Sequence, residues 1–148
     1  MKRIRKNFVG LVGLVFCTAV FSTVSANDDP VSEGRVLFEA YCAVCHGADG
    51  KGDGPSATQL SIRPADLTEI AERRDGIWPI LEVMSIIDGY TKKITPREDM
   101  PIIEEITEGP MIEFDTGNGI ITTIPARLLA LAEYLESIQC PEPTGFVP

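Results

Sequence analysis

Positive charge is scarce in this chain. Thirteen lysines and arginines face 22 aspartates and glutamates, and four of the thirteen, Lys2, Arg3, Arg5 and Lys6, are crowded at the N-terminus. Nucleic acid and anionic membrane surfaces repel such a body, which argues against nucleic acid as a partner. Long apolar runs are also few. The stretch from Phe8 to Val24 approaches the length of a bilayer span, and no other does. Histidine occurs once, at His46, so a site held by two histidines of one chain is excluded. The length, 148 residues, leaves room for one compact domain rather than two.

The N-terminus reads as a secretory leader. Its four basic residues precede an apolar stretch, Phe8 to Phe21, and Val24-Ser25-Ala26 ends in small residues. Acidic residues follow in Asn27-Asp28-Asp29, and cleavage is expected after Ala26. The chain then divides into a signal peptide, 1–26, and a mature domain, 27–148, exported to the periplasm or beyond and without a membrane anchor. A retained anchor is the competing reading. Lipidation at Cys17 is disfavoured by the bulky Val15-Phe16 before it. Cleavage leaves nine basic residues against 22 acidic ones, a formal charge of −13. Two readings of this charge stand: it steers a basic partner protein toward the surface, or it keeps an exported protein soluble. Its distribution is uneven, since residues 98–148 carry ten acidic residues and, of basic ones, only Arg127.

Three cysteines remain after the leader, and two lie in Cys42-Ala43-Val44-Cys45-His46. This is the attachment pattern for c-type haem. Thiols three apart on a helical turn can each add to one porphyrin vinyl group, and the next residue places an imidazole under the iron. A thioredoxin-like disulfide site would need a strand before Cys42, and no strand-forming run is there. A zinc site from Cys42, Cys45, His46 and Cys140 would need adjacent Cys45 and His46 to reach one tetrahedral ion.

The surrounding sequence resembles class I c-type cytochromes of the bacterial monohaem kind. The run His46-Gly47-Ala48-Asp49-Gly50-Lys51-Gly52-Asp53-Gly54-Pro55 looks like the glycine-rich loop that follows their haem motif, and the likeness extends loosely over most of the mature chain. Glycine suits a loop passing close to a large flat group. The resemblance implies an all-α fold with the N- and C-terminal helices crossed around one covalent haem c, here carrying a small inserted β-hairpin. It also implies that a proline carbonyl accepts a hydrogen bond from the second imidazole nitrogen. Pro55 fills that position, with Pro64 as the alternative, although Asp53-Gly54-Pro55 also reads as a plain turn.

Periodicity supplies the helices. Asp29-Pro30 caps a first helix in which Val31, Gly34, Leu37, Phe38 and Tyr41 recur on one face and lead into Cys42. A middle helix is predicted from Ile77 to Ile87, with Gly89 ending it, and a terminal helix opens at Pro125 with Leu128, Leu131, Leu135 and Ile138 on one face. By resemblance Gly34, Phe38 and Tyr134 form the crossing of first and last helices. Trp78 is expected near the haem, either simply buried or with its indole N–H on a propionate.

With one histidine available, the sixth ligand is sought among Met84, Met100 and Met111. Met84 lies on the apolar face of the middle helix, where methionine is ordinarily a gap filler. Met100, in Pro96-Arg97-Glu98-Asp99-Met100-Pro101, matches the family's axial loop, so the resemblance implies His46 and Met100 as the metal ligands. Met111, Lys92, Lys93 and no methionine at all are the alternatives.

Met111 to Thr123 reads as a hairpin around Asp115-Thr116-Gly117-Asn118-Gly119. It is either a partner-specific surface or a flap over one haem edge. Cys140 is expected to be buried as a small apolar residue, the other reading being an intermolecular bond. With both axial positions filled, the expected function is that of an extracytoplasmic one-electron carrier, not an enzyme, exchanging electrons with partners whose docking surfaces are basic. An electron-transfer subunit of a larger redox enzyme is the second reading. A haem sensor or peroxidase-like protein with a displaceable sixth ligand is the third.

Overall fold

A computed structural model describes residues 29–93 and 100–147, so the expected leader and the expected cleavage point after Ala26 lie outside the described residues. So do Pro96 to Asp99 of the loop before Met100, and the side chains of Lys92 and Lys93.

Helix α1 (Pro30–Tyr41) starts where the Asp29 carboxylate accepts a hydrogen bond from the Val31 N–H at 3.3 Å, with Pro30 in the first turn. A single turn, α2 (Ala43–His46), follows directly. The chain then runs irregularly through 3-10 turns at Ala57–Gln59, Leu67–Glu69 and Glu72–Arg74 before strand β1 (Ile77–Pro79) and helix α3 (Ile80–Ile87). Another 3-10 turn, Tyr90–Lys93, and the short α4 (Glu104–Thr107) lead to the hairpin β2 (Met111–Asp115) and β3 (Ile121–Pro125). Helix α5 (Ala126–Ser137) and strand β4 (Gly145–Val147) complete the described chain.

The two long helices, α1 and α5, pack against each other. Their approach depends on Gly34, where an added Cβ would collide with the Ala130 carbonyl oxygen and come within 2.7 Å of the Tyr134 Cβ. Phe38 and Tyr134 stack beside it with ring centroids 5.3 Å apart and planes tilted by 46°, a pairing worth about 0.5–1.5 kcal/mol beyond its buried area. Phe38, Leu131, Ala132 and Leu135 are buried around this crossing, and each large apolar side chain contributes roughly 1.5–3 kcal/mol on burial. The contact foreseen at Gly34, Phe38 and Tyr134 is therefore present.

The middle helix is shorter than its periodicity suggested. Residues 77–79 are extended, and the helix begins at Ile80. Trp78 precedes a proline, which biases it away from helical geometry, and Pro79 stands at the N-cap. The extended residues pair in parallel with the end of the chain, Ile77 opposite Gly145 and Trp78 opposite Phe146. The hairpin forms where expected: Met111 pairs with Pro125, and Asp115 pairs with Ile121. Its turn is closed by Thr116, whose N–H reaches the Ile120 carbonyl at 3.0 Å. Phe114 and Ile124 pack against the core, while Met111, Glu113 and Asp115 face solvent. The architecture is thus the anticipated helical one with a small hairpin, plus a two-stranded parallel pairing that was not anticipated. Among the described residues no helix is long and apolar enough to cross a membrane.

Candidate functional site

The turn after α1 brings the two thiols and the imidazole together. The Cys42 N–H closes α1 on the Phe38 carbonyl at 2.8 Å, and the Cys42 carbonyl accepts from Cys45 N at 3.1 Å and His46 N at 2.9 Å. Cys42, Cys45 and His46 all line one cavity of about 640 Å³. The glycine-rich loop folds back over this turn: Gly52 N donates to the His46 carbonyl at 2.7 Å, Gly54 N to Cys45 at 3.1 Å and Ser56 N to Val44 at 2.9 Å. These bonds satisfy carbonyls that a helix end would otherwise leave open. Only glycine fits at position 54, where a Cβ would lie 2.6 Å from the Ala43 and Val44 oxygens.

His46 Nδ1 lies 3.0 Å from the Ala65 carbonyl oxygen. A carbonyl only accepts, so Nδ1 carries the proton and the Nε2 lone pair is left for a metal. Burial holds the imidazole below its ordinary pKa, against the opposing pull of the Ala65 bond, which keeps the ring neutral at neutral pH. The expectation for Pro55 is corrected here. Pro55 is exposed and stands outside the cavity lining, because the loop spends its backbone on the carbonyls of α2 and turns the proline outward. The chain returns to the imidazole ten residues later, where Pro64 and Ala65 line the cavity and Ala65 supplies the carbonyl.

Burial, and to a lesser degree Cys45, push the Cys42 thiol up to about 11. A disulfide oxidoreductase needs the opposite, an activated thiolate. The donors of the zinc alternative do not gather either: among the described residues no three His, Cys, Asp or Glu side chains are grouped to hold a bare ion. Cys140 is exposed, which corrects the expected burial; its neighbour Gln139 occupies the inward position instead.

Of the three methionines, Met100 lines the cavity, beside Pro101, Ile103 and Ile106. Met84 is 4% exposed in the core and Met111 is 54% exposed on the hairpin, and neither lines the cavity. Val83, Ile87, Leu131 and Leu135 extend the apolar wall. The charged side chains among the lining residues are three arginines, Arg63, Arg73 and Arg74. Arg73 Nη2 donates to the Asp66 carbonyl at 2.7 Å, while Arg74 is paired through two nitrogens with Glu82 and bonds the Ile70 carbonyl at 3.2 Å. Trp78 is fully buried outside this wall, and its indole N–H has no hydrogen-bond partner among the described residues.

Two thiols, a neutral imidazole with its second nitrogen anchored, a thioether and an apolar wall carrying guanidiniums suit a large flat iron-bearing group with carboxylate arms. The residues fit a haem. Sequence reasoning found the thiols, the imidazole and the thioether, and missed Ala65 and the arginines. None of these stands in a motif: a backbone carbonyl leaves no trace in residue type, and the arginines are distant from the cysteines in sequence.

Helices crossed at a glycine over a cavity with paired thiols beside an imidazole characterise covalent haem carriers as a class. A family model for cytochrome c matches residues 31–139, and the chain belongs to the cytochrome c family. Its members are typically haem-based electron carriers rather than enzymes, and Cys42 and Cys45 are consistent with covalent haem c. Comparison with curated proteins and with solved structures returns no match.

Proposed function

We propose that this protein is an extracytoplasmic one-electron carrier that holds one haem covalently through Cys42 and Cys45, with His46 and Met100 as its axial pair. The observation that carries this reading is the gathering of those four side chains on one apolar cavity while Met84 and Met111 lie elsewhere. When bound, a haem supplies the ferric–ferrous couple. The chain's own residues determine how that couple is used. His46 presents one nitrogen and keeps the other on Ala65, so the ring cannot rotate freely. The apolar wall would keep water from a bound haem, and Arg63, Arg73 and Arg74 line it with guanidiniums, the last two already paired with Glu69 and Glu82. Trp78, fully buried outside the cavity lining, favours the reading of simple burial over a bond to a propionate. A thioether in the sixth position leaves no open coordination site, which suits outer-sphere exchange. The leader reading supports export, and the formal charge of −13 after cleavage supports a partner with a basic docking face.

The absorption spectrum of the mature holoprotein tests this. A low-spin ferric form with a methionine-to-iron charge-transfer band, and slow carbon monoxide uptake by the ferrous form, are expected. A high-spin spectrum with rapid carbon monoxide binding overturns the carrier assignment in favour of a sensor or peroxidase-like protein. One observation favours the second reading, a dedicated subunit of a redox enzyme: Met111, Ile120 and Ile121 on the hairpin are 54%, 60% and 64% exposed. Purification in constant stoichiometry with a catalytic chain would support it.

A further inference from the structure

We propose that Gln139 is a positioning residue for His46: its buried amide clasps the segment 65–71 to the end of α5 and so holds in place the carbonyl that anchors the imidazole. The inference rests on the reading of His46 as an axial ligand. Gln139 is 8% exposed. Its Nε2 donates to the Leu67 carbonyl at 2.7 Å and to the Leu135 carbonyl at 2.6 Å, and its Oε1 accepts from the Ala71 N–H at 2.9 Å. Both amide hydrogens and one oxygen lone pair are therefore used. The next residue adds a bond from Cys140 N to the Thr68 carbonyl at 2.8 Å.

The segment so held needs outside support. Its regular structure is one 3-10 turn, Leu67–Glu69, capped by the Asp66 carboxylate on Thr68 N at 2.8 Å. Leu67 is gripped on both sides: its N–H donates to the Gly50 carbonyl at 2.7 Å and its C=O accepts from Gln139. Two residues before it stands Ala65, whose carbonyl receives His46 Nδ1. No helix or strand ladder fixes that carbonyl, so its place follows from the bonds on residues 66–71, and Gln139 supplies two of them. Only glutamine meets this requirement. Glutamate would set a carboxylate against two carbonyl oxygens, and methionine, of similar length, would leave the Leu67 oxygen and the Ala71 N–H without their partner.

A firmly held acceptor makes the imidazole a stronger electron donor, which favours the oxidised metal. Loosening the clasp therefore shifts the reduction equilibrium toward the reduced form. In the holoprotein, Gln139→Met is expected to shift that equilibrium by roughly threefold to tenfold, less than the roughly 10-fold to 100-fold effects of removing an outer-shell partner outright. Proton NMR of the ferrous protein should show faster exchange of the His46 Nδ1 proton. Gln139→Asn, which keeps the amide but shortens the reach, should move both readouts in the same direction by less, and serves if the methionine variant does not fold. The control is Leu128→Ala, which removes a buried side chain outside the cavity lining; it should lower the melting temperature and leave both readouts in place. If loaded Gln139 variants melt earlier with potential and ring proton unmoved, Gln139 is a structural clasp and the inference falls alone. If the wild-type mature chain acquires no covalent haem, the functional reading falls and the inference with it.

Discussion

Two parts of the cavity lining are held by different forces. Around His46 the chain is fastened by directional bonds: carbonyls of residues 43–46 are closed by the glycine-rich loop, the imidazole is tied to Ala65, and residues 66–71 are tied to Gly50 and Gln139. Around Met100 the lining is largely apolar, with Ile103, Ile106 of α4, and Val83 and Ile87 of α3 turned inward. Directional bonds specify an angle, which an axial imidazole requires. Dispersion and hydrophobic contact specify depth and dryness without a preferred rotation, which a flexible thioether tolerates.

The sharpest way to test that contrast is Met100→Ala. With the thioether gone, the charge-transfer band should vanish and the ferrous protein should bind carbon monoxide rapidly. The potential should fall by on the order of 0.1 V, a fraction of the roughly 0.8 V range that axial ligands span. The fold should persist, since the bonds around His46 are untouched, as circular dichroism would show. A retained band would move the ligand assignment away from Met100.

A smaller effect is expected from Ile106→Ala, which empties a fully buried position on α4. It should cost about 2–5 kcal/mol in denaturant unfolding, while the His46 Nδ1 proton keeps its exchange rate. Disturbance of that proton would show that the two parts of the lining are one cooperative unit.

The smallest effect belongs to neither part. Burial raises the Glu133 pKa on α5, with Asp29 adding to it, and Glu136 beside it is raised by burial and then by Glu133. The folded state thus keeps the Glu133 proton to higher pH than the unfolded chain does, and stability declines as pH rises from the unfolded value, 4.5, through the folded one. Glu133→Gln should flatten that decline and slightly stabilise the protein at neutral pH, by no more than about 0.5 kcal/mol. Thermal melts across this range would check it, and a variant less stable at pH 7 would contradict it.

Legibility followed sequence distance. Helices α1 and α5, the hairpin and the Cys42–Cys45–His46 turn could be read because each signal lies within a few residues: a cap, an apolar period, a glycine-rich turn, a fixed spacing of thiols. The strand at Ile77–Pro79 could not, because its partner is Gly145–Val147 and the local pattern alone reads as helix. Pro55 was misassigned for a related reason. The residues nearest the imidazole in sequence are occupied with their own carbonyls, and the anchor comes from a later segment. Cys140 was misplaced because a residue just past a helix end has no periodicity to say which of two neighbours turns inward, and Gln139 does.

The amino-acid sequence by itself determined that two thiols and an imidazole share one helical turn, that long helices precede and follow them, and that the chain is acidic, with 22 acidic residues against 13 basic ones. Covalent spacing and side-chain period are enough for that. Tertiary structure alone decided which carbonyl holds the imidazole, that arginines line the wall, and that residues 77–79 pair with the end of the chain. Those choices depend on how segments far apart in the chain close upon one another, a matter of packing and hydrogen-bond satisfaction over the whole fold.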